Sequence, residues 1–235
     1  MKTDRLEEKL TGKTAVVTGA AGTMGRAVVS FLKEDGLKVV GIDLKDSDVR
    51  CDIADPAAVS SAIKQIGPVD VLVNNAGILS NNKVEATTPE EWRKVLAANL
   101  DGAFYLAREV IPGMKKRRWG RIVNTCSLAA KTGGLTAGTA YAVSKGALTS
   151  LTFSLARELA PFGVTVNGIS PAYVKTPMVT EQLTEAQRQA LVAQIPVGRF
   201  CEPEEFAHVV RFLVSPLAGF ITGEIVDLNG GLVMD

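Results

Sequence analysis

Short apolar runs rich in valine and isoleucine recur along the chain, and each is followed by a stretch whose apolar positions have helical spacing. Thr14-Ala-Val-Val-Thr18 is the first. Runs this short, β-branched and bounded by turn residues read as buried strands. The same pattern predicts strands at Lys38 to Asp43, Val49 to Asp52, Val69 to Asn74, Gly120 to Cys126, Val164 to Ser170 and Gly223 to Asp227. Helices are predicted from Arg26, over Pro56 to Ile66, Pro89 to Met114, Tyr141 to Leu159, Thr180 to Gln194 and Pro203 to Leu213, with Thr87 or Thr88 as a cap before Pro89. Lys131 to Ala140 reads as a loop, and Pro171 to Met178 as an irregular exit from a strand. Strand and helix alternate throughout. That predicts an α/β fold: a doubly wound parallel sheet of about seven strands flanked by helices, in a single domain without repeats or linkers.

Composition narrows the classes. The 235 residues suit one large domain, 46% hydrophobic and 22% charged, with a net charge of +1. That balance gives no reason to expect nucleic acid or an acidic membrane as partner. Met1 to Leu10 is charged and lacks the apolar core of a signal peptide, and no apolar run reaches membrane-spanning length. Cys51, Cys126 and Cys201 lie far apart without CxxC spacing, as expected of reduced thiols in a cytoplasmic protein with no metal site.

In doubly wound sheets ligands sit at the carboxyl ends of the strands. That edge gathers the glycine-rich turn Gly19 to Gly25, Asp43, Asp52, Asn74 to Gly77, Ser127 and Pro171 to Thr176. A glycine-rich turn between a strand and a helix can cradle a pyrophosphate on backbone N–H groups. Asp43, 24 residues after Gly19, stands where a carboxylate accepts hydrogen bonds from an adenosine ribose and repels a 2′-phosphate. Tyr141 and Lys145 are four apart, on one face of the predicted helix. A lysine ammonium near a phenol favours the phenolate, and such a phenol can exchange a proton with an alcohol or carbonyl. Each feature also has a plain reading: a turn, a solvated strand end, an amphipathic helix.

With these motifs the chain from Lys13 to Gly231 resembles the short-chain dehydrogenase/reductase family. The matching elements are Thr18-Gly19-x-x-x-x-x-Gly25, Asn74-Asn-Ala-Gly77, Asn99, Ser127, Tyr141-x-x-x-Lys145, Asn167, Pro171 to Thr176 and Asp227-Leu-Asn-Gly-Gly231. The resemblance implies a Rossmann fold, a nicotinamide cofactor, a homotetramer of D₂ symmetry and reversible hydride transfer between a secondary alcohol and its ketone. Tyr141 would be the general acid–base. Lys145 would tune it and bind the nicotinamide ribose, Ser127 would donate to the substrate oxygen, and Asn99 would hold a water leading from Lys145 to solvent. Gly19, Gly22, Thr23, Met24, Gly25, Asp43, Asp52, Ile53, Asn75, Ala76, Gly77, Tyr141, Lys145, Pro171, Ala172, Val174 and Thr176 would line the cofactor site, with no metal.

Two positions depart from the family pattern. Thr23 replaces the middle glycine of the turn; a threonine resists positive φ, so the permissive role is expected to fall to Gly22. Ala172 replaces the glycine after Pro171 and narrows the space beside the nicotinamide. Asp43, and the lack of a basic residue in the turn before Met24, favour NAD. The alternatives are an NADPH-dependent 3-oxoacyl-thioester reductase and a catalytically silent dinucleotide-binding sensor or scaffold. The expected substrate pocket is apolar, formed by Ile78, Leu79, Leu128, Ala129, Leu135, Tyr173, Met178 and a lid over residues 177–200. Cys126 reads as a buried structural thiol, and His208 as structural or interfacial. Lys115 to Arg118 reads as a solvated helix end; its competing reading is a site for an acidic partner such as a carrier protein.

Overall fold

The computed structural model describes residues 9–177, 181 and 184–234. Strands β1 (Thr14–Thr18), β2 (Lys38–Asp43), β3 (Val49–Arg50), β4 (Val71–Asn74), β5 (Gly120–Thr125), β6 (Val164–Pro171) and β7 (Ile225–Leu228) form one sheet in the order β3-β2-β1-β4-β5-β6-β7. Every neighbouring pair is parallel. The helices are α1 (Thr23–Glu34), α2 (Pro56–Ile66), α3 (Pro89–Leu96), α4 (Gly102–Arg117), α5 (Ala129–Thr132), α6 (Thr139–Leu159), α7 (Glu185–Val192) and α8 (Pro203–Val214). None of these helices is long and apolar enough to cross a membrane.

Side chains of a strand alternate between faces, and the core divides accordingly. Val16, Leu72, Ile122 and Val166 pack with Val59, Leu106, Met114 and Leu159 of α2, α4 and α6. Ala15, Val17, Val73 and Val123 pack on the opposite face with Val28, Leu32, Phe206 and Val210 of α1 and α8. Burial on both faces is why the strands read as continuous apolar runs. Order reverses between β1 and β4, so their carboxyl ends part to form a crevice. Thr18 closes its floor: Thr18 Oγ1 accepts from the amides of Asn75 and Ala76, each at 3.0 Å, and Asn75 Nδ2 donates to the Thr18 carbonyl at 3.0 Å.

Several boundaries move. α1 begins at Thr23 rather than Arg26, and β3 keeps only Val49–Arg50. β4 starts at Val71 rather than Val69, β7 is shifted to Ile225–Leu228, and α5 takes the start of the expected loop at Lys131. The expected helix from Thr180 is α7, which starts at Glu185; Thr184 caps it in a reciprocal box with Gln187, while Thr180 lies outside the described residues. The long helix over Pro89 to Met114 is broken: Ala97–Asp101 form a π turn in which Gly102 N donates to Ala97 O, five residues back. The extra residue shifts the register of the helix that follows, and no residue type in the run marks where the shift falls.

The glycine turn also differs from expectation. Thr23 is absent from the positive-φ residues, as its branched side chain requires. Gly22, expected to take the permissive conformation, has φ −76°; the left-handed residue is Gly19, at φ 66°. Gly25 answers a different need, because a Cβ there would lie 2.1 Å from the Gly19 carbonyl oxygen.

Candidate active site

A groove of about 1010 Å³ runs along the carboxyl ends of β1, β2 and β4. Of the residues expected to hold a cofactor, Gly19, Gly22, Thr23, Met24, Gly25, Asp43, Asp52, Ile53, Asn75, Ala76, Gly77 and Thr176 line it. It meets a cavity of about 280 Å³ lined by Ser127, Tyr141, Lys145, Pro171, Ala172 and Val174. Met24, Asn75, Gly77, Ile78 and Thr176 border both spaces, so one continuous site joins the glycine turn to Tyr141. The expected apolar residues Ile78, Leu79, Leu128, Ala129, Leu135 and Tyr173 all line the cavity, while Met178 lies outside the described residues.

The carboxylate of Asp43 is fixed by backbone donors. Asp43 Oδ2 accepts from Ala21 N at 3.0 Å, and Asp43 Oδ1 from Leu44 N at 2.7 Å. Each oxygen has a second lone pair, so both retain acceptor capacity toward the groove. Beside it α1 follows Gly22, which provides no side-chain cap, leaving first-turn N–H groups for an anion. Arg26, which sequence reasoning missed, lines the same groove, with Nε held on the Ala21 carbonyl at 2.7 Å. Its position past the glycine turn concealed it.

α6 carries Tyr141 and Lys145 to the inner end of the cavity. Lys145 is only 3% exposed; its Nζ lies 5.7 Å from the Tyr141 ring centroid and donates to Thr125 O at 2.6 Å. An ammonium has three donors, so a buried one holding a single carbonyl suits a ligand rich in hydroxyl acceptors, such as a ribose. Ser127 Oγ accepts from Ala129 N at 3.2 Å, which leaves its proton for an acceptor in the cavity. These donors, the uncapped helix start and the close-packed Gly19–Gly25 turn fit a bound dinucleotide.

Asn99 lines neither space and is 1% exposed. Its side chain is already engaged: Oδ1 accepts from Ile78 N at 2.8 Å, and Nδ2 donates to Ile78 O and Ser144 Oγ, each at 3.0 Å.

The remaining expectations sort by burial and pairing. Cys126 is buried beside Ala103 and Leu148; burial pushes its thiol up, against hydrogen bonding from Thr149 and Thr152. His208 is exposed on α8, away from the site. In the basic run, Lys115 pairs with Glu158 at 2.6 Å, Arg117 with Asp70 at 3.1 Å, and Arg118 donates to the Pro161 carbonyl at 2.9 Å. Three of its four cations therefore bind this chain's own groups.

A family model described as enoyl-(acyl carrier protein) reductase matches residues 19–233. The 3-oxoacyl-acyl-carrier-protein reductase FabG of Vibrio cholerae is 39% identical over 244 residues, covering 96% of this chain and 99% of that protein. Its Escherichia coli counterpart is 37% identical over 242 residues, covering 95% and 98%. Among solved structures, a protein described as an NAD(P) dependent gluconate 5-dehydrogenase from Beutenbergia cavernae, with NADP bound at low occupancy, superposes with a TM-score of 0.89 at 34% identity, covering 95% of this chain and 98% of that one. Thermoplasma acidophilum aldohexose dehydrogenase gives a TM-score of 0.88 at 34% identity, covering 95% and 94%.

Proposed function

The chain belongs to the short-chain dehydrogenase/reductase family, and from that premise we propose an NAD(H)-dependent oxidoreductase that interconverts a secondary alcohol and its ketone. The observation that carries this reading is the meeting of Ser127, Tyr141 and Lys145 in one apolar cavity that opens into the groove holding Asp43. The nicotinamide, when bound, supplies or accepts the hydride. In reduction Tyr141 gives its phenolic proton to the carbonyl oxygen, and the Ser127 hydroxyl donates a second hydrogen bond to that oxygen as charge develops. Oxidation runs the same transfers backward. Lys145 orients the ribose with the N–H groups not held by Thr125. Asn99, whose side chain is engaged by Ile78 and Ser144, acts as a positioning residue rather than as the holder of a water beside Lys145.

Asp43 supports NAD, since a 2′-phosphate would meet a fixed carboxylate. Arg26 in the same groove supports the rival, NADP, the cofactor bound in the Beutenbergia protein. The activity named for the curated relatives supports a second reading, reduction of a 3-oxoacyl thioester. Against a fixed clamp for an anionic carrier, Lys131 pairs with Asp227, Lys175 with Glu202 and Arg199 with Glu205. Following nicotinamide absorbance with neutral ketones and with a 3-oxoacyl thioester, each with NADH and NADPH, separates these readings. Cofactor binding with no turnover of any carbonyl would leave the silent sensor.

In this reading the whole chain is one domain, a cytoplasmic enzyme, with residues 177–200 as a lid, of which 178–180, 182 and 183 lie outside the described residues. Phe104 on α4 and Val143 and Phe153 on α6 are exposed apolar side chains suited to pairing of these helices in a homotetramer. A monomeric mass by light scattering at micromolar concentration removes that assembly.

A further inference from the structure

The outer wall of the cavity is a loop, not an element. Leu135, Thr136 and Ala137, between α5 and α6, line the cavity. Gly133 and Gly134 both have left-handed backbone, at φ 72° and 82°, so the loop has little conformational preference of its own. Among the described residues, only two hydrogen bonds reach Gly134 to Ala137, and Lys83 makes both: Lys83 Nζ donates to Gly134 O at 2.8 Å and to Ala137 O at 2.7 Å.

Lys83 is itself placed by an anchored segment. Glu91 on α3 accepts from Ser80 Oγ at 2.5 Å and from Asn82 Nδ2 at 2.7 Å. These bonds hold the Glu91 carboxyl below its ordinary range. The start of α6 is attached separately, through Gly138 N to Ser80 O at 2.6 Å and Thr139 N to Asn82 O at 3.0 Å. Tyr141 thus depends on backbone bonds to residues 80–82, whereas the wall depends on one side chain.

We propose that Lys83 is a specificity-determining residue: its ammonium latches the Gly134–Ala137 wall and so sets the size of ketone or alcohol the cavity accepts. The proposal rests on the oxidoreductase reading above. A charge that holds two carbonyls positions Leu135, 64% exposed at the rim, without touching the reacting atoms. Losing the latch should widen the cavity and leave Tyr141 in place.

The test compares wild type, Lys83→Met and Lys83→Arg with NADH and two neutral ketones, a small cyclic ketone and its bulkier ring-substituted analogue. Lys83→Met should raise KM for the small ketone at least fivefold and keep kcat within about twofold. It should also raise the bulky-to-small ratio of kcat/KM at least fivefold. Lys83→Arg, which retains donors, should restore most of that ratio. A latch with only a structural role would lower Tm and leave the ratio unchanged, and that result overturns the proposal. Amide hydrogen exchange at Leu135 to Ala137 is read on the same proteins. Exchange should accelerate in Lys83→Met, and unchanged exchange also overturns the latch. If wild type turns over no ketone, the oxidoreductase reading fails, while the exchange measurement still decides whether Lys83 holds the wall.

Discussion

Asn99 grips Ile78 on both sides of its backbone, accepting from its amide at 2.8 Å and donating to its carbonyl at 3.0 Å. Ile78 borders both the groove and the cavity, so this pair fixes the passage between them. The π turn at Ala97–Asp101 is where the helix carries Asn99 against that loop. π turns inside helices recur at functional sites because the altered register presents a side chain that a regular helix would turn elsewhere.

Asn99→Ala should therefore destabilise the protein by ~1–3 kcal/mol, the cost of leaving the Ile78 amide and carbonyl without partners. A urea midpoint measures this, and an unchanged midpoint would show that solvent replaces the lost bonds. NADH affinity should weaken too, because Gly77 precedes Ile78 on the groove wall.

In the proposed site Asp43 and Arg26, which line the same groove, would make opposing demands on an adenosine ribose. Asp43 is held by two backbone amides, whereas Arg26 rests on one carbonyl at an exposed position. Repulsion of a 2′-phosphate by a fixed carboxylate should favour NADH over NADPH at least about tenfold in kcat/KM, ~1.4 kcal/mol. Equal values would sink the NAD reading and hand the groove to Arg26.

Arg199 and Glu205 make a two-pronged pair at 2.6 and 2.7 Å, at the start of α8. Those bonds and the Glu202 amide hold the Glu205 carboxyl at about 2, against an ordinary 4.5. A depressed carboxyl stabilises the fold above its unfolded value, and the gain is lost as pH falls from about 4.5 toward 2. Glu205 is 41% exposed, so screening keeps the effect well below the full linkage value. Urea midpoints at pH 5 and pH 3 should differ less in Arg199→Met than in wild type. An identical difference would show that the pair carries no pH-dependent stability.

The sheet was legible because strands buried on both faces must be apolar along their length, as Ala15, Val16 and Val17 are. Gly19, Asp43, Ser127 and Tyr141 were legible as a site because one topological rule places strand ends on one edge. What escaped depends on partners distant in sequence. Nothing local marks Lys83 as the holder of Gly134 and Ala137, about fifty residues on. Arg26 looked like an ordinary helix residue until its Nε met Ala21 O. Local steric reasoning gives the left-handed turn to Gly22; the backbone takes it at Gly19, just past the end of β1 and close to Asn75 and Ala76.

Tyr141 bears the heaviest demand. In the proposed mechanism its phenol is the cavity's proton carrier, while the Ser127 hydroxyl, lining the same cavity, serves as a hydrogen-bond donor. Tyr141→Phe keeps the ring beside Lys145 and removes only the exchangeable proton. It should lower kcat in both directions by at least about a hundredfold, the low end for general acid–base catalysis, with NADH binding nearly intact. Lys145→Met should harm both quantities, because the ammonium buried against Thr125 O also offers donors to the ribose. Steady-state kinetics with a ketone, beside a fluorescence titration with NADH, separates the two residues. If Tyr141→Phe keeps more than a tenth of wild-type turnover, the proton comes from elsewhere. The meeting of Ser127, Tyr141 and Lys145 would then be a binding site without the acid–base role assigned to it.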